Sequence, residues 1–170
     1  MHAKPLAALA TLAVAAGTAA VADGASTPAQ KITPLRVGGV HLGDRHAALR
    51  ARGLVGKIGP GCELGGPNTR SARLKRPLKG SVNYTLKDPR VVANIQVLGG
   101  AKARGVGVGA KQRAIRNAFP KAKFDHSTES VFGITLVRVP RTGGGKLQFA
   151  VSTTTHRVTL IGVPAIAFCE

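Results

Sequence analysis

The sequence predicts an α+β protein: two tandem units, each a short helix followed by a three-stranded antiparallel meander, forming one sheet-based domain. The first observation is a repeat. Gly39, Val40, Gly43, Ala48 and Arg50 recur as Gly105, Val106, Gly109, Ala114 and Arg116, and Leu42, Arg45 and Leu49 recur as Val108, Lys111 and Ile115, at a constant offset of 66. A fixed period of this length is the mark of a duplicated supersecondary unit. The second is alternation: Ser81-Val82-Asn83-Tyr84-Thr85-Leu86-Lys87 switches between polar and apolar residues, as a strand with one buried face does. The third is punctuation, with Gly53 and Pro120 closing two short Ala/Leu/Arg-rich runs.

In chain order, residues 1–22 read as a secretory signal peptide. Lys4 precedes an apolar, Ala-rich run from Leu6 to Val21, and Ala20-Val21-Ala22 is a small-x-small cleavage site. The run is short for a span, which needs about 20 apolar residues, and no second run is long enough. No cysteine lies near the cleavage site to carry a lipid. The reading is therefore an exported chain, secreted or in the cell envelope, with no membrane span once the signal is removed.

Residues 23–34, broken by Pro28 and Pro34, read as a flexible leader, and residues 35–98 form the first unit. An extended stretch (Leu35, Val37, Val40, Leu42) leads to a helix over 45–52, with Asp44 as N-cap and Gly53 as C′ residue. Residues 53–72, dense in Gly and Pro, read as loop. Strands are predicted at 72–76, 81–87 and 91–98, with Lys87-Asp88-Pro89-Arg90 as a turn. Residues 99–170 form the second unit: a helix over 111–119, then strands at 131–139, 146–152 and 157–163. Strand equivalences extend the repeat: Val82, Tyr84 and Leu86 align with Leu147, Phe149 and Val151 at offset 65, and Val92, Ile95 and Val97 with Val158, Ile161 and Val163 at 66.

Cys62 and Cys169 are the only cysteines. In an exported chain they read as a disulfide joining the two units, worth on the order of 4–5 kcal/mol in the chain-entropy model. A net charge of +18 favours contact with polyanions and acidic partners, and says little about fold. Its most pointed feature is the run Arg70, Arg73, Lys75, Arg76 and Lys79, which reads either as a grip on phosphates of nucleic acid or an acidic cell-wall polymer, or as a solvated edge strand.

Catalytic and metal patterns fall short. Gly105-Val106-Gly107-Val108-Gly109-Ala110-Lys111 fits neither a Walker loop nor a dinucleotide fingerprint. His41, Asp44 and His46 cluster, but the second unit has Gly107, Ala110 and Gln112 there. Asp125, His126 and Ser127 are adjacent on one chain, whereas a nucleophilic triad is assembled from separated positions. The seven acidic residues are scattered. No catalytic, cofactor-binding or metal-binding residue is assigned, and no cofactor is expected.

The segments 39–52 and 105–119, each a G-x-x-x-G start leading into a short Leu/Ile-bearing helix with strands after, resemble the helix-then-sheet unit of bacterial β-lactamase inhibitory proteins and of BamE/SmpA-type outer-membrane assembly lipoproteins. The resemblance implies secreted tandem duplications with a sheet face that binds a protein. The functional expectation is an exported, non-enzymatic binding protein for an envelope or extracellular protein. The alternative is a basic polyanion-binding protein, and the third reading a small secreted hydrolase.

Overall fold

The computed structural model describes residues 29–63, 66–142 and 145–168. The signal segment 1–22, the start of the leader and Cys169 lie outside the described residues. Strand makes up 49% and helix 13% of the structure, which corrects the α+β expectation: the protein is mostly β.

The first half opens with β1 (Gln30–Thr33), β2 (Arg36–Val37) and β3 (Val40–His41), followed by α1 (His46–Ala51). A four-stranded meander follows: β4 (Val55–Pro60), β5 (Arg70–Leu74), β6 (Lys79–Tyr84) and β7 (Val92–Gly99). The second half has β8 (Ala101–Ala103), β9 (Val106–Gly107), α2 (Gln112–Ala118), β10 (Lys123–Asp125) and α3 (Glu129–Phe132), then β11 (Ile134–Thr142), β12 (Gly145–Ser152) and β13 (Val158–Val163). Among the described residues these make an eight-stranded sheet, β10-β11-β12-β13-β7-β6-β5-β4, and a five-stranded one, β3-β2-β1-β8-β9.

The helices do not form a covering layer, because α1 buries only Leu49, α2 only Ile115 and α3 no side chain. Helices this short are marginal without packing. The small sheet covers the large one instead: Ile32, Val37, Val40, Ala101, Ala103 and Val106 join Val82, Ile95, Val97, Phe149 and Ile161 in one apolar cluster.

Four expectations about single elements are corrected. The leader read as flexible contains β1, whose pairing with β8 is the sole parallel one among the described strands. The loop read over 53–72 contains β4, so each meander has four strands rather than three. Asp44 does not cap α1: the N-cap is Arg45, with no side-chain cap bond. The Asp44 carboxylate instead accepts the His41 N–H at 2.8 Å and closes the preceding turn. Residues 129–132 are helical, so the strand read from Val131 begins at Ile134.

Backbone bonds are matched between the halves at offset 66. Gly43 N–H donates to Val92 O at 2.8 Å, as Gly109 N–H does to Val158 O; Val92 N–H donates to Asp44 O at 2.9 Å, as Val158 N–H does to Ala110 O. The ribbon pairs Arg36↔His41 and Lys102↔Gly107 match likewise. At the sheet centre Gln96 pairs with Gly162, flanked by Ile95↔Val163 and Val97↔Ile161. Gln96 and Gly162 are themselves 66 apart, as are Ile95 and Ile161, and Val97 and Val163. An approximate two-fold axis therefore passes beside that pair. The aligned offset of 65 for the middle strand is corrected: Val82 pairs with Ile95 as Phe149 pairs with Ile161, and Tyr84 with Val92 as Val151 with Val158, which is 67. The two-residue difference keeps every side chain on its own face, because strand period is two.

Candidate binding cleft

A cleft of about 730 Å³ lies between the small sheet, the chain leaving α2 and the β11–β12 hairpin end. That volume lies in the range of small-ligand sites. Its floor includes Ile32, Ala103, Phe119 and Leu147, all buried. The parallel β1–β8 pairing (Gln30↔Ala101, Lys31↔Lys102) brings β1 and β8 to one wall. The opposite wall is held by a close approach of backbones: a Cβ on Gly145 would press on the Pro34 carbonyl.

The rim is cationic. Lys31, Arg104 and Lys121 line the cleft and are exposed, and among the described residues no acidic one lines it. Arg104 is the most telling of the three. Its guanidinium lies over the Phe119 ring, 5.3 Å from the centroid, and donates to Ala118 O at 3.3 Å. Its backbone has φ +45, a left-handed conformation that L residues seldom adopt. The matching residue in the first half, 66 earlier, is Gly38 with φ +55. An arginine therefore occupies a turn position where the twin has glycine, at a strain of about 1 kcal/mol or more. Placing charge on the cleft floor's aromatic ring is what the substitution achieves.

A smaller recess of about 340 Å³ shares Val139 and Pro140 with the cleft and is lined by Lys123, Arg138, Lys146 and Gln148. Here Arg138 Nη2 meets Asp125 Oδ2 at 2.6 Å. The Asp125 carboxyl is held below its usual range, first by the Ser127 hydroxyl and N–H, then by Arg138. The Glu129 carboxyl is also lowered, first by the Thr135 hydroxyl and then by His126. Carboxylates with depressed folded pKa values add stability above the unfolded value, near 4, and lose it as pH falls through the folded one. Thermal unfolding midpoints should thus hold between about pH 7 and 5 and fall below about pH 4. In Asp125→Asn the fall should be smaller, and an unchanged acid limb would contradict this assignment.

The residues singled out from sequence are not gathered here. Arg70 Nη1 folds back onto Pro67 O and Thr69 O, both at 2.8 Å. Arg73 lies on the face of the large sheet away from the main core, while Lys75 and Arg76 sit in the β5–β6 turn and Lys79 opens β6. β5 is flanked by β4 and β6, so it is not an edge strand of the large sheet. His41, Asp44 and His46 form no metal cluster, and none occurs among the described residues. Ser127 Oγ donates to Asp125 at 2.6 Å, and His126 Nδ1 contacts Glu129 at 2.6 Å, so the serine has no histidine base. Gly105–Lys111 forms β9 and the turn into α2. Cys62 Sγ lies 3.7 Å from Phe168 O, beside the position preceding Cys169, which is outside the described residues. No helix among the described residues is long and apolar enough to cross a membrane.

Sequence reading missed Lys31, Arg104, Phe119 and Lys121 as a group. The one available signal was Arg104 standing where the repeat has Gly38. Comparison with protein-family models, with curated proteins and with solved structures gives no match.

Proposed function

We propose that the chain is an exported, non-enzymatic binding protein that engages its partner in the cleft. The partner is an envelope or extracellular protein presenting an apolar side chain beside a negative charge. The carrying observation is the pairing of an apolar floor with the rim of Lys31, Arg104 and Lys121, with no acid among the described lining residues. Export rests on residues 1–22, and the protein partner on the resemblance drawn from 39–52 and 105–119. The hydrolase reading gains nothing from the cleft, whose lining among the described residues carries no histidine, carboxylate or thiol. Polyanion contact keeps independent support: Arg73, Lys75, Arg76 and Lys79 are exposed, and among the described residues only Arg90, Arg138 and His126 meet an acid.

Anilinonaphthalene sulfonate, an aromatic anion, tests the cleft directly. Wild-type protein should bind it saturably, and the triple variant Lys31→Gln/Arg104→Gln/Lys121→Gln should bind it about tenfold more weakly, as expected for losing three exposed charge contacts of roughly 0.5 kcal/mol each. Equal binding by both would remove the cleft from the proposal. Heparin retention lowered by Arg73→Ala/Lys75→Ala/Arg76→Ala, with the rim variant unaffected, would favour the polyanion reading.

A further inference from the structure

After β13 the chain turns back over the face of the large sheet that the small sheet leaves uncovered. Residues 164–168 belong to no strand, and three of their backbone groups bond to side-chain amides. Asn94 Nδ2 donates to Ala165 O, Gln96 Nε2 donates to Ala167 O at 2.7 Å, and Ile166 N–H donates to Gln148 Oε1 at 2.8 Å. The floor is shaped for this: a Cβ on Gly162 would collide with the Ala165 carbonyl. Ile166 is buried with Leu136 and Ala150 in a cluster separate from the main core. The Phe168 ring stacks on Phe132 of α3, centroids 4.7 Å apart and planes at 13°.

Two features set this strap apart from ordinary core. All three polar contacts are to backbone atoms, which any sequence supplies. The sequence-dependent part is confined to Ile166 and Phe168, two residues apart. Its apolar cluster shares no buried residue with the one between the two sheets.

We propose that this face is a seat for an extended peptide bearing an aliphatic and an aromatic side chain two residues apart, filled in cis by residues 164–168 and kept filled by a Cys62–Cys169 disulfide. The position of Cys62 Sγ beside Phe168 O puts the first cysteine at the end of the seat. A dithiol would open the bridge by two thiol–disulfide exchanges, leaving two protein thiols and the reductant's own disulfide. The strap then becomes a weak internal ligand, and a partner segment of the same chemistry competes for the amides and the Leu136/Ala150 surface. This inference does not depend on the cleft.

The test uses a fluorescent peptide of residues 164–170 carrying Cys169→Ser, titrated by anisotropy. The oxidised full chain should exclude it and show no reactive thiol. The full chain with Cys62→Ser/Ile166→Ala/Phe168→Ala should bind it saturably. Adding Gln96→Ala should weaken that binding about fivefold, the usual effect of one hydrogen bond. The same peptide with Ile166→Ala should bind at least about tenfold more weakly, as loss of a buried aliphatic side chain implies. The proposal is overturned by two free thiols in the oxidised chain, by equal peptide binding to both chains, or by no binding to the released chain. Loss of cooperative thermal unfolding in the released chain also overturns it, since the strap would then be part of the core.

Discussion

Gly80→Ala is expected to lower the thermal unfolding midpoint by roughly 8–16 °C, corresponding to about 4 kcal/mol in a chain of this size. Gly80 has φ +135 at a bulge where Lys79 pairs with Gly99 and Gly80 itself with Val97. A Cβ there would sit on the carbonyl oxygen of Gln96 and 3.1 Å from the Val97 Cα. Both obstacles are backbone, so no rotamer change relieves them. They belong to β7, which carries the buried Val92, Ile95 and Val97 and pairs with β13 across the sheet centre. Conformational strain and overpacking each cost about 1–3 kcal/mol. Gly53→Ala separates the two: Gly53 has φ +69 with nothing near its Cβ site, so only the conformational part, about 1 kcal/mol, should appear. Equal midpoints for the two variants in a circular-dichroism melt would refute the close-approach argument.

What the sequence revealed depended on whether a local pattern was sufficient. Ser81–Lys87 alternates cleanly, and Val82 and Tyr84 are buried with Ser81 and Asn83 half-exposed, although the strand ends at Tyr84. The two helices fall within a residue or two of their predicted spans, since Gly53 and the Pro120 stop are local signals. β4 was hidden because Gly56, Gly59 and Pro60 read as loop, yet an edge strand tolerates all three. The class itself was misjudged for a related reason. Leu35–Leu42 looked like one extended lead-in, but Gly38-Gly39 folds it into the β2–β3 ribbon, and its twin β8–β9 completes a second sheet. The small sheet, not the helices, covers the large one. The cleft was beyond local reading because its lining comes from five separated segments. The contact that assembles them, β1 against β8, joins residues about 70 apart with no pattern in either strand to announce it.

Phe149 is where that long-range assembly meets the core, and Phe149→Ala is expected to destabilise the protein by about 3–5 kcal/mol. The ring is fully buried, in the middle of β12 between Val137 and Ile161. It meets Phe119 with centroids 5.6 Å apart and planes at 49°, a tilted pair of the kind that adds about 0.5–1.5 kcal/mol beyond burial. Its equivalent across the two-fold is Val82, also fully buried but without a ring of its own. Val82→Ala removes less volume and should cost about 1–2 kcal/mol, so the two halves should respond unequally to truncation at matched positions. The asymmetry has a functional side. Phe119 forms part of the cleft floor and carries the Arg104 guanidinium, so a cavity behind it should let ring and charge move together. Phe149→Ala should therefore weaken binding of anilinonaphthalene sulfonate under conditions where the variant remains folded, whereas Val82→Ala should leave it unchanged. If urea unfolding gave the two variants the same loss, or the dye bound both equally, Phe149 would be filler in a symmetric core, and the link from core to cleft through Phe119 would be lost.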